Sequence, residues 1–175
     1  MSEYYTEALV LDWEEVNNSD AFVHLYTQKL GKVRAKAVGI RKITSKLAGH
    51  FQPLNFVNVR LVDGGSLLLV DGLSIKKIKL TGALIAARII KNAAAEFQPD
   101  PVAWNFIKAI FMSEDEAKLG NFLMLFKAMG FEPASDKCSF CRRGFISVFS
   151  YADAQFICGN CVKDLKLSEN EIQLL

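Results

Sequence analysis

Cys138, Cys141, Cys158 and Cys161 stand in the pattern C-x2-C-x16-C-x2-C, and they are the only cysteines in the chain. Two residues between sulfurs let both thiolates of a pair reach one ion, and two such pairs supply the tetrahedral set that Zn²⁺ prefers. Four sulfurs also close the coordination shell. The ion expected at 138–161 is therefore one structural zinc, with no open position for a reacting water. The spacer "RRGFISVFSYADAQFI" reads as a β-hairpin that returns the second pair to the first. Gly144 and Gly159 sit where tight turns bring backbone amides toward the sulfurs. A thiol redox role is the competing reading of one C-x-x-C, but two pairs without a β-α-β context favour metal. Arg142 and Arg143 read as solvated charge on the knuckle, with phosphate contact as the alternative.

Other chemistry is not indicated. The chain holds no Walker loop, no G-x-S-x-G, no H-E-x-x-H and no carboxylate pair placed for acid–base work. His24 and His50 stand alone and read as surface or core histidines. The expectation is a protein that is not an enzyme.

The charge distribution points to a polyanion. The formal net charge is only +2. Residues 1–20 nevertheless hold Glu3, Glu7, Asp12, Glu14, Glu15 and Asp20 with no base, and residues 21–62 hold Lys29, Lys32, Arg34, Lys36, Arg41, Lys42, Lys46 and Arg60 with no acid. In "GKVRAKA" the alternation places Lys32, Arg34 and Lys36 on one strand face, roughly 6.5–7 Å apart, close to the phosphate spacing of an extended single strand. Val33, Ala35 and Ala37 face inward. Arg41, Lys42 and Lys46 follow on a loop, with Ser45 as a hydroxyl donor. Phe22, Tyr26, Phe51 and Phe56 are the aromatics on hand for base stacking, and Tyr26 is favoured because its hydroxyl tolerates a wet edge.

These residues need elements to position them. Thr6 to Asp12, Asp20 to Thr27, Lys32 to Val38, Leu54 to Val62 and Leu67 to Lys77 read as five short strands joined by tight turns, "DGGS" (63–66) being a hairpin turn. A small closed barrel over 1–80 is the economical arrangement, because closure removes sheet edges. From Thr81 the pattern turns helical. "TGALIAARIIKNAAAEFQ" takes Thr81 as its N-cap, and Pro101 opens a second helix, "PVAWNFIKAIFM". A third runs from a Ser113–Glu116 capping box to Gly130. Trp104, Phe106, Phe111, Phe122 and Phe126 read as core. Residues 162–175 read as a short closing helix or a loose tail. The fold class is α+β: a barrel over 1–80, then a small helical domain with the four-cysteine module over 81–175. No apolar run approaches the roughly 18 residues of a membrane span, and an acidic N-terminal stretch argues against a secretory leader. A cytoplasmic protein is the expectation.

The order of these features resembles the RecO family of bacterial DNA repair and recombination mediators. The resemblance rests on Ser19-Asp20, on Leu25-Tyr26-Thr27 leading to Gly31-Lys32, on Val38-Gly39-Ile40-Arg41 leading to Ser45-Lys46, and on Phe51-Gln52-Pro53-Leu54. It covers nearly the whole chain. Val38 stands where that family commonly has Lys, Asn18 where it has an acid, and the helical part is shorter. The resemblance implies an OB-fold that binds single-stranded and double-stranded DNA and anneals complementary strands. It also implies recombinase loading in concert with RecR and single-strand-binding protein, at the nucleoid. Two other readings compete: a protein–protein adaptor docking acidic tails, and an OB/zinc-ribbon RNA-binding factor.

Overall fold

Strand β1 (Ser2–Glu15) runs fourteen residues, twice the length its apolar alternation suggests. It is long because it serves two neighbours. Ser2 to Leu9 pair antiparallel with β4 (Asn55–Asp63), and Ala8 to Glu15 pair with β2 (Ala21–Thr27), across an irregularity between Val10 and Asp12. Strand β2 continues antiparallel into β3 (Gly31–Ala37), and β4 into β5 (Leu67–Lys77). A parallel pairing of β3 with β5, registered at Lys36 and Leu68, closes a barrel in the order β1-β2-β3-β5-β4. The computed structural model describes residues 2–79, 83–113 and 122–175, which fall into two compact units, 1–120 and 121–175.

The barrel interior follows from period-2 alternation. Val33, Ala35 and Ala37 of β3 are buried with Val23, Leu25, Val57, Val59 and Leu61. The two alanines leave room for Phe51, which arrives from the β3–β4 loop and is fully buried. The indole Nε1–H of Trp13 donates to the Phe51 carbonyl at 2.6 Å and fixes the loop over the barrel end. Gly72 answers the same ring: a Cβ there would stand 2.5 Å from Phe51 Cζ and 2.6 Å from the Asn58 carbonyl oxygen.

Two helices pack within this first unit. Helix α1 (Ala83–Ala93) buries Ala83, Ala86, Ala87, Ile89 and Ile90. Helix α2 (Pro101–Met112) begins at Asp100, whose carboxylate accepts from the N–H groups of Val102 and Ala103, with Pro101 in the first turn as expected. Trp104 of α2 stacks on Tyr26 at 6.2 Å and meets Phe56 edge-on at 6.0 Å, so the outer aromatics of the barrel become a second core. Ser113 closes α2 as its C-cap and donates to the Ile110 carbonyl. Glu116 of the expected capping box and Thr81 of the expected N-cap lie outside the described residues.

The second unit has its own core. Helix α3 (Phe122–Ala128) supplies Phe126, packed 4.1 Å from Phe149, with Phe156 and Phe131 around them. Gly130 ends the segment with φ +86°, the left-handed turn expected there. Strands β6 (Val148–Ser150) and β7 (Gln155–Ile157) form the expected hairpin. Helix α4 (Gly159–Asp164) follows at once. Residues 172–174 depart from the expected tail or helix: Ile172–Leu174 is strand β8, paired with β6 on the side away from β7. Three residues are too few to show a period in sequence. Among the described residues no helix is long and apolar enough to cross a membrane.

Candidate metal centre and nucleic-acid interface

The four cysteine sulfurs converge at one end of the β6–β7 hairpin, all within 4.8 Å of one another. Cys138 and Cys161 Sγ are 3.7 Å apart, as are Cys141 and Cys158 Sγ. A tetrahedral ion with Zn–S bonds of about 2.3 Å requires sulfur–sulfur edges of about 3.8 Å, so the cluster fits such an ion. The cysteines are free thiols. Gly144 is demanded by close approach: a Cβ on it would lie 2.8 Å from Cys158 Cβ and 3.0 Å from its sulfur. Its backbone N–H and that of Arg143 hold the Cys141 thiol down to about 6, toward the thiolate a metal needs. Burial pushes Cys161 up to about 12. In Cys138, burial is outweighed by backbone donors from Cys141, Cys158 and Phe140, and its pKa falls. This split belongs to thiols crowded together without a counter-charge, which a divalent cation would supply.

The cationic stretch is arranged differently from its reading in sequence. Lys32, Arg34 and Lys36 do share the outer face of β3, but carboxylates from the first twenty residues sit among them. Arg34 pairs with Glu14 at 3.3 Å, Lys36 approaches Asp20 at 3.8 Å, and Arg41 pairs with Glu15 at 2.7 Å while donating to the Asn17 carbonyl. For Arg34 and Glu14 the register explains it: β1 and β3 flank β2, so an acid of one and a base of the other lie across one strand. Lys32 is half-buried and donates from Nζ to the Lys91 carbonyl of α1; burial lowers its pKa. Asp20 is nearly buried, and the Gly39 N–H, held at 2.8 Å, draws its pKa down. It ties β2 to the start of the 38–54 loop. Lys42 and Lys46 project from that loop, exposed and without an ion pair among the described residues. Between them Ile43 is fully exposed.

Stacking residues are also redistributed. Tyr26 is 3% exposed beneath Trp104 and is not available to a base. Phe51 and Phe56 are interior as well. Phe22 remains half-buried under the Arg34 guanidinium, 4.2 Å from its centroid. Tyr5 of β1, within the acidic segment, is well exposed and lines a groove of about 660 Å³ with Asn58, Arg60, Asp71, Leu73 and Lys108. Its outward position was readable from the strand alternation.

The family model described as "Recombination protein O N terminal" matches residues 1–78, the barrel. The barrel therefore matches the RecO family, and relatives described as RecO align with most of the chain. It is similar to the DNA repair protein RecO of Syntrophobacter fumaroxidans, 26% identical over 158 aligned positions, covering 81% of this chain and 63% of that relative. It is similar also to DNA repair protein RecO of Myxococcus xanthus (27% identical, 92% of this chain, 73% of the relative) and of Clostridium novyi (28%, 93% and 71%). The chain thus spans less than two thirds of the first of these and somewhat more of the others. These matches reach well beyond the barrel.

Proposed function

We propose that this chain is a member of the RecO family and acts in DNA repair and recombination as a non-enzymatic mediator that binds single- and double-stranded DNA. The observation that carries the reading is the match of the whole barrel to the RecO N-terminal family. The strand order 1-2-3-5-4 with a parallel β3–β5 closure supports naming the barrel an OB-fold. Lys42 and Lys46 on the 38–54 loop are the primary phosphate contacts, because no carboxylate competes for them among the described residues. Arg34, Lys36 and Arg41 contribute only when phosphate displaces Glu14, Asp20 or Glu15. Glu14 and Glu15 are exposed, and exposed ion pairs are worth about 0–1 kcal/mol, so exchange at Arg34 and Arg41 is feasible. Strand annealing, recombinase loading, and joint action with RecR and single-strand-binding protein belong to the same proposal. One structural Zn²⁺ held by Cys138, Cys141, Cys158 and Cys161 would fix the hairpin ends of the second unit.

The test is binding of purified protein to a bare labelled single strand, a duplex and an RNA of equal length over a salt series. Salt-sensitive binding to both DNAs in preference to RNA is expected. Absence of binding to bare DNA would instead support the adaptor reading, which the exposed Leu73 and Ile75 on β5 favour. Preference for RNA would support the RNA-binding reading.

A further inference from the structure

The first cysteine knuckle carries aromatic and cationic side chains that its fold does not use. Phe140 and Phe145 are 49% and 66% exposed, although the unit has an aromatic core around Phe126 in which other phenylalanines are buried. A bridge between Lys137 and Phe145, and the bond from the Cys138 N–H to the Gly144 carbonyl, close residues 137–145 into one compact loop. Within it Lys137 Nζ lies 3.9 Å from the Phe145 centroid. Arg142 and Arg143 are exposed and have no ion pair among the described residues.

Arg142 also holds φ +57°. A left-handed position at a turn suits glycine, and an arginine there is strained relative to it. The turn at Arg142 aims the N–H groups of Arg143 and Gly144 at Cys141 and leaves the Arg142 guanidinium exposed beside Phe140 and Phe145. Beside Phe140, Ser139, Asp153 and Gln155 line a shallow groove of about 310 Å³. Asp153 makes this groove unfit for phosphate. Its carboxylate, with the Gln155 amide, suits the edge of a base.

We propose that this knuckle is a second, base-stacking contact for unpaired nucleic acid. Phe140 and Phe145 present faces to bases, while Arg142, Arg143 and Lys137 take the phosphates between them. A duplex hides its base faces and engages only the cations. The site goes beyond the barrel reading and stands on the second unit alone. It also reverses the sequence reading of Arg142 and Arg143 as idle solvated charge.

The experiment uses the full chain with its metal, a fluorescein-labelled oligo(dA) of twenty nucleotides and a duplex of the same length. Metal content is measured for every variant. Phe140→Leu with Phe145→Leu should weaken single-strand binding by at least about fivefold, the low end for one lost stacking partner, and change duplex binding less than twofold. Equal loss on both DNAs, or loss on neither, would overturn the proposal. Arg142→Gly guards against misfolding, since glycine relieves the left-handed backbone. It should keep the metal and the melting temperature while lowering the single-strand salt slope by about 0.7; an unchanged slope with metal retained overturns the phosphate role. The barrel is tested apart. Lys42→Gln with Lys46→Gln should affect both DNAs, and a loss confined to the knuckle variants removes the barrel reading and keeps this one.

Discussion

Neutralising Lys42 and Lys46 should change the salt dependence of DNA binding more than neutralising Arg34 and Lys36. Each phosphate contact on a single strand contributes about 0.7 to the log–log slope of affinity against salt. Lys42→Gln with Lys46→Gln removes two cations that lack carboxylate partners among the described residues, so the slope should fall by about 1.4. Between 50 and 200 mM salt that amounts to roughly a sevenfold smaller loss of affinity than the unaltered protein suffers. Arg34→Gln with Lys36→Gln removes the same formal charge but also frees Glu14 and Asp20 from their pairs. At low salt this second variant should bind more weakly, since two carboxylates now repel the backbone, while its slope moves by well under 1. The assay is fluorescence anisotropy with a labelled single strand at five or more salt concentrations. A larger slope change for the β3 pair than for the loop pair would refute the argument that internal pairing governs which cations meet DNA.

Native mass spectrometry should find one zinc per chain, lost on denaturation, and a chelator should melt the second unit; a folded metal-free protein would rule out the structural role. Gly72→Ala places a Cβ against Phe51 and the Asn58 carbonyl, and overpacking of this kind costs about 1–3 kcal/mol, readable as a lower urea midpoint. Asp20 titrates below its ordinary value because the Gly39 N–H, the Asn17 amide and the Ser19 hydroxyl favour its charged form. Its contribution is therefore present above the unfolded-state pKa and is lost as pH falls through the folded one. Asp20→Asn should flatten the acid limb of the stability curve, and an unchanged limb would place the acid sensitivity elsewhere.

The sequence made the barrel strands and the metal cluster readable because both follow local rules. Alternation put Val33, Ala35 and Ala37 inside, and x2 spacing put the sulfurs in reach of one ion. What it hid were relations between distant segments. The count of bases over 21–62 omits Glu14 and Glu15, since only the folded sheet, with β1 and β3 on either side of β2, brings them to Arg34 and Arg41. Tyr26 carries every mark of a wet aromatic, and its burial depends on Trp104, seventy-eight positions away. Asp20 matched a family motif without a visible reason; its bond to the Gly39 N–H supplies one. Phe140 and Phe145 are exposed, and no local period in the sequence separates them from the buried Phe149 and Phe156.

The closure between β3 and β5 rests on the single registered pair Lys36 and Leu68, whereas the other strand contacts run over seven or more. A ring with one short join breathes there first. Amide hydrogens along residues 34–37 and 67–69 should trade with solvent deuterium ahead of those in β1 and β4, so a strand of DNA settling across that join would find the most yielding part of the wall.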